Sequence, residues 1–282
     1  MARTIAITNQ KGGVGKTTTA VNLAASLAAT NRRVLLIDMD PQGNASTGCG
    51  IDKDDVALSA YHVLVGESTT KDAVIAVADF QFDVLASNGD LTAAEVKLMD
   101  KLAREQRLYK ALESVQTLYD YILIDCPPSL NLLTLNALVA ADGVMIPMQC
   151  EYYALEGLSA LISTIEDVRH SVNPRLTIEG LLRTMYDGRS NLGNDVSQQL
   201  VRHFGDKVYR TIVPRNIRLA EAPSHGKPVI YHDKTSRGAL AYLALAGEII
   251  RRDALKRKLD APAASTTASS AERVEAETSN GN

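Results

Sequence analysis

The chain has 282 residues, 45% hydrophobic and 22% charged, enough to bury the core of one large domain or two small ones. Its 30 basic and 33 acidic side chains give a net charge of −3, which taken alone argues against a polyanionic partner. The total conceals an asymmetry, because residues 1–168 carry −9, residues 169–259 carry +9 and residues 260–282 carry −3.

No run of about 18 apolar residues is present to span a bilayer, and the N-terminus lacks the basic stretch and apolar run of a signal peptide. A cytoplasmic protein is expected. Cys49, Cys126 and Cys150 are too few and too scattered for a disulfide framework or a CxxC metal cluster, so they read as reduced and structural.

In chain order, short Val- and Ile-rich runs predict strands at Thr4–Thr8, Arg33–Asp38, Tyr121–Asp125, Gly143–Pro147 and Thr177–Met185. Apolar spacings of three and four predict helices at Thr17–Ala29, Ala93–Val115, Leu155–Arg169 and Gly238–Leu259. Buried apolar strands alternating with helices predict an α/β fold, a single doubly wound, mostly parallel sheet flanked by helices. The expected domain is 1–259. Residues 260–282, an acidic tail rich in Pro, Ala, Ser, Thr and Glu, bury too little to offset their ordering entropy and are expected to be disordered.

Directly after the first strand comes Asn9-Gln10-Lys11-Gly12-Gly13-Val14-Gly15-Lys16-Thr17-Thr18-Thr19, and a helix follows. Glycines without Cβ atoms let backbone N–H groups close around phosphate oxygens, and the helix start adds its positive end. Lys16 is expected at the β and γ phosphates and Thr17 at Mg²⁺. The loop departs from GxxxxGK[ST] at Gln10 and carries a second lysine, Lys11, five residues before Lys16. Two cations in one compact cradle are poorly placed, so Lys11 suits a phosphate bound by another subunit.

Asp38 and Asp40 close the strand in Val34–Asn44, before a Pro41/Gly43 loop. A carboxylate at the carboxyl end of a parallel strand faces the ligand crevice, so Asp40 is assigned to the attacking water and Asp38 to a place nearer the metal. The apolar run Tyr121–Asp125, followed by Cys126-Pro127-Pro128-Ser129, reads as a Walker B strand whose Asp125 holds Mg²⁺ through water.

KGGVGKTTT resembles the deviant Walker A motif of the ParA/MinD ATPases, P-loop NTPases in which the signature lysine reaches across an ATP-sandwich homodimer. DMDPQGN, DCPPS, the run Tyr152–Gly157 and the run Val213–Pro228 are similar to the chromosomal ParA/Soj partition ATPases over about residues 2–250. The resemblance implies adenine recognition by Pro214, Arg215 and Asn216, the last having an amide able to read a base edge. It further implies ATP- and Mg²⁺-dependent, sequence-independent binding of nucleoid DNA, placed on Arg189 and Arg218, with Lys227, Lys234 and Arg237 as additional candidates. A ParB-type centromere-binding protein is the implied partner, with chromosome or plasmid segregation as the outcome.

Glu221 and His225 sit in a loop that suggests positioning more than chemistry. Three different classes separate on these features. The alternative to a DNA switch is a MinD-like membrane-associated ATPase, suggested by the basic end of the last helix, although no membrane is expected. A redox or ligase enzyme on the same scaffold is disfavoured by the scattered cysteines. With the motif starting at Gln10, the extra DNA-binding domain that some plasmid relatives place ahead of it is not expected.

Overall fold

The computed structural model describes residues 1–260. Eight strands form one sheet: β1 Arg3–Ile7, β2 Val34–Asp38, β3 Val74–Val77, β4 Phe82–Leu85, β5 Tyr121–Asp125, β6 Gly143–Gln149, β7 Thr177–Tyr186 and β8 Val208–Pro214. Their spatial order is β3-β4-β2-β5-β1-β6-β7-β8. Every pairing is parallel except β3 with β4. The expected doubly wound, mostly parallel sheet is therefore the observed one.

The central strands β1, β2 and β5 are buried almost throughout, as apolar runs covered on both faces must be. Asp38 pairs with Asp125 and Asp125 with Ile7, so both carboxylates end their strands in register beside the turn that leaves β1. The chain leaves β1 for β2 on one side and later lays β6 on the other. The crevice at such a reversal is where ligands of open α/β sheets bind.

The helix Lys16–Ala28 follows β1, and its buried face includes Ala20, Leu23, Ala24 and Leu27. The predicted helix Ala93–Val115 is corrected by the structure. Leu91–Leu98 is helical, the chain breaks near Ala103 at a φ of +52°, and a 3₁₀ turn Arg104–Gln106 leads into Arg107–Leu112. Buried Asn136 makes the break possible: its Oδ1 accepts from Leu108 N (3.1 Å) and its Nδ2 donates to Arg104 O (3.0 Å), satisfying backbone groups that a continuous helix would have paired internally. Strands β3, β4 and β8 and the helices Leu132–Ala140 and Asn191–Phe204 were not among the sequence-predicted elements.

The chain divides into a unit Met1–Glu248 and a second from Ile249 onward, whose described part continues the helix Arg237–Asp260. The tail expected to be disordered lies outside the described residues, apart from Asp260 at the helix end. No helix of the described residues is long and apolar enough to cross a membrane.

Candidate functional site

The loop between β1 and the first helix is held by side chains on both flanks. Asn9 Oδ1 accepts from Lys11 N (3.0 Å), and its Nδ2 donates to Pro147 O (2.8 Å) on β6. On the other side Thr184 Oγ1 donates to Val14 O (2.8 Å). Gly13 and Gly15 adopt φ of +74° and +85°, conformations that L side chains adopt at a cost. Gly15 is also the residue before the helix, and no side chain caps the helix start. The first-turn N–H groups therefore remain available to an anion.

Lys16 is buried, with Nζ 3.3 Å from Lys11 O. Burial pushes its ammonium down from the ordinary lysine range, against the opposing pull of Asp125, Cys126 and Asp40. Gly12, Gly13, Lys16, Thr17 and Thr18 line one side of a cleft of about 690 Å³. Asp40, Pro41, Gln42 and Pro127 line another part of it.

Three acidic residues differ in what holds them. Asp38 is fully buried, and its Oδ2 accepts from both Ser46 N and Ser46 Oγ at 2.8 Å. Its Oδ1 accepts from Asp40 N at 3.2 Å. Both oxygens thus organise the loop that follows β2, and the residue stays in register beside Asp125. Burial raises the Asp38 carboxyl to about 6, opposed by those donors.

Asp125 is equally buried, yet neither of its oxygens has a hydrogen-bond partner. The Thr17 hydroxyl faces it closely enough to favour the ionised form without reaching full hydrogen-bond geometry. Burial, then the adjacent Asp38, drive its carboxyl well above the ordinary range. A buried carboxylate whose oxygens lack hydrogen-bond partners, beside a threonine hydroxyl, supplies oxygen donors that fit a hard divalent cation. Among the described residues no group of three or more His, Cys, Asp or Glu is placed to hold a metal ion.

Asp40 stands at the cleft, its Oδ1 accepting from Gln42 N (3.0 Å) and its carbonyl from Ser87 Oγ (2.8 Å). Ser87 N in turn donates to Ser46 Oγ (3.0 Å). Gly43 permits this packing: its φ is +65°, and a Cβ there would lie 2.8 Å from Ser87 O.

Lys11 is exposed, its Nζ 2.5 Å from Glu151 Oε2. At the residues expected to meet the base, Tyr186 and Pro214 are register partners of β7 and β8, and Arg215 N donates to Tyr186 O (3.2 Å). Asn216 Oδ1 is buried with no hydrogen-bond partner, a vacancy that suits a donor on a base edge.

The basic candidates are all exposed. Arg189 pairs with Asp187 through Nε (2.9 Å) and Nη2 (2.7 Å), and Arg218 with Glu221 (2.8 Å) and Asp233 (3.4 Å). Arg237 lines a shallow cavity with Tyr186, Gly188 and Pro214. Glu221 also lies 3.8 Å from His232, whose ring stacks on His225, so this loop organises charge around Arg218. Cys49 and Cys126 are buried and Cys150 partly so, all three free.

Sequence reasoning missed Ser46, Glu151 and Met185. Glu151 opens the run Tyr152–Gly157 but lies 140 residues from Lys11, and no local pattern connects the two.

A family model described as an AAA domain matches residues 2–178. The sporulation initiation inhibitor protein Soj of Bacillus subtilis is 55% identical over 249 residues, which cover 88% of this chain and 98% of that protein. The chromosome partitioning protein ParA of Caulobacter vibrioides is 52% identical over 253 residues, covering 89% of this chain and 95% of that protein. A solved structure described as cobyrinic acid a,c-diamide synthase from Mycobacterium smegmatis, with bound ADP and magnesium, is 37% identical with a TM-score of 0.80. It covers 92% of this chain and 98% of that one.

Proposed function

Since the chain belongs to the ParA/Soj family of partition ATPases, we propose that it is an ATP-driven DNA switch: ATP closes a homodimer, the dimer binds DNA without sequence preference, and hydrolysis releases it. The observation that carries this reading is the division of labour between two lysines of one loop. Lys16 is buried in the cleft, whereas Lys11 is exposed and paired with Glu151 instead. An exposed lysine at the rim suits a phosphate held by a second copy.

In the proposed chemistry the loop N–H groups and Lys16 hold the β and γ phosphates of ATP. Thr17 and Asp125 would hold Mg²⁺, which neutralises developing phosphate charge. Asp38 fixes the loop through Ser46 and so aims Asp40. The Asp40 carboxylate orients water for in-line attack on the γ phosphorus, yielding ADP and phosphate. Asn216 takes the adenine edge with Pro214 and Arg215 beside it.

Bound DNA is assigned to Arg189 and Arg218, with Lys227, Lys234 and Arg237 around them. Phosphate contacts require cations and no base-reading geometry. The half-exposed carboxylate partners of Arg189 and Arg218 are weak competitors, because screened surface pairs contribute little. A ParB-type protein is the proposed stimulator of hydrolysis and the nucleoid the site of action.

Size measurement with ATP tests the lysine division. Asp40→Ala should accumulate as dimer because hydrolysis stalls, Lys11→Ala should remain monomeric while binding nucleotide, and Lys16→Ala should lose nucleotide. A Lys11→Ala protein that dimerises like the parent would overturn the proposal. A ligase on this scaffold would instead show ATP turnover that requires a small carboxylic acid and is indifferent to DNA.

A further inference from the structure

Met185 is the one residue of the described chain that combines a positive φ in a non-glycine residue with a place in the phosphate cleft. Its φ is +48° and it lines the cleft from the end of β7. A methionine held there is strained, and such strain persists only where the surroundings over-determine it. The surroundings are specific. Thr184, one residue before, ties β7 to the phosphate loop through Val14 O. Tyr186, one residue after, ties β7 to the Pro214–Asn216 segment through its own carbonyl.

Between these anchors the methionine side chain turns toward the loop, so that a Cβ on Gly15 would lie 3.8 Å from Met185 Cε. Gln149, on the neighbouring strand β6, lies against the Met185 sulfur. On the proposed reading the phosphates take the loop anchor and the base the Asn216 anchor, so the sugar and inner base face must pass this thioether.

We propose that Met185 is a nucleotide-binding residue of the ATPase, its thioether forming the apolar wall against the nucleoside between the phosphate loop and Asn216. This rests on the reading of the cleft as the ATP site. A flexible, polarisable thioether suits a flat purine and sugar surface. A thioether has no proton to give and accepts one only weakly, so it contributes to binding ATP and ADP alike and leaves the hydrolytic step alone.

The full-length protein is titrated with a fluorescent adenine nucleotide and assayed for turnover. Met185→Ala should weaken ATP and ADP about tenfold, a loss of about 1.4 kcal/mol, and raise KM to match with kcat within twofold. Met185→Leu, which keeps the apolar volume, should recover affinity to within about threefold. Met185→Gly relaxes the left-handed backbone and should melt above Met185→Ala, yet bind nucleotide as poorly. A purely structural role predicts the opposite, with affinity restored in Met185→Gly.

Parental affinity in Met185→Ala, recovery in Met185→Gly, or a kcat loss at unchanged affinity would each overturn the proposal. Lys16→Ala separates this from failure of the site itself. If Lys16→Ala loses nucleotide while Met185→Ala binds normally, only the role of Met185 falls. If Lys16→Ala binds like the parent, the cleft assignment falls with it.

Discussion

Ser46→Ala removes one oxygen atom, and the structure makes that atom a junction. Ser46 Oγ donates to Asp38 Oδ2 at 2.8 Å and accepts from Ser87 N at 3.0 Å, with Ser46, Asp38 and Ser87 all buried. Losing a hydrogen bond to a charged acceptor costs about 1.5–3 kcal/mol, and leaving the buried Ser87 N–H unpaired costs about 1–3 kcal/mol. The two losses share some relaxation, so about 3 kcal/mol is expected in total. At about 2–4 °C per kcal/mol for a chain near this size, the melting midpoint should fall by about 6–12 °C in calorimetry.

Function should fall with it in a selective way. The same junction holds Asp40, through Asp38 Oδ1 on its N–H and Ser87 Oγ on its carbonyl. Turnover should therefore drop several-fold while nucleotide affinity, set by the loop after β1, stays near parental. A midpoint shift below about 2 °C, or lost affinity with retained kcat, would refute the assignment of Asp38 as organiser of the Asp40 loop.

Other substitutions probe separate links. Gly43→Ala places a Cβ 2.8 Å from the Ser87 carbonyl at a φ of +65° and should cost about 1–3 kcal/mol, read as a lower melting midpoint with reduced turnover. Glu151→Ala breaks a half-exposed pair with Lys11; such pairs contribute about 0–1 kcal/mol, so thermal melting should move by no more than a few degrees. Arg189→Ala should reduce the steepness of DNA affinity against salt by about 0.9 in log–log slope for each phosphate no longer neutralised, measured by fluorescence anisotropy over a salt series.

The nucleotide half of the molecule was legible because its signals are local. A buried parallel strand must be apolar on both faces, so β1, β2 and β5 stand out as runs, and a glycine loop with Lys16-Thr17 reads as a phosphate cradle. Edge strand β3 is half-exposed and β8 mixes buried and exposed positions, so neither offers a clean run. The helix expected at Ala93–Val115 has the right composition throughout. What breaks it is Asn136, a residue from a later helix that supplies the missing backbone partners.

The site divides along the same line. Asp125 and Asp38 look alike in sequence, each ending an apolar strand, and only the positions of Ser46 and Thr17 separate an organiser from a vacant carboxylate. The pairing of Lys11 depends on Glu151, and the strain at Met185 on backbone angles, neither of which a local pattern reports. Every residue proposed for DNA lies in the +9 stretch, which the total of −3 conceals.

DNA binding measured with and without ATP, over several salt concentrations, tests the central claim most directly. The parent and Asp40→Ala should bind duplex DNA only with ATP and weaken as salt rises. Arg189→Glu and Arg218→Glu should lose DNA while keeping ATP. Binding that ignores ATP or salt would contradict the account.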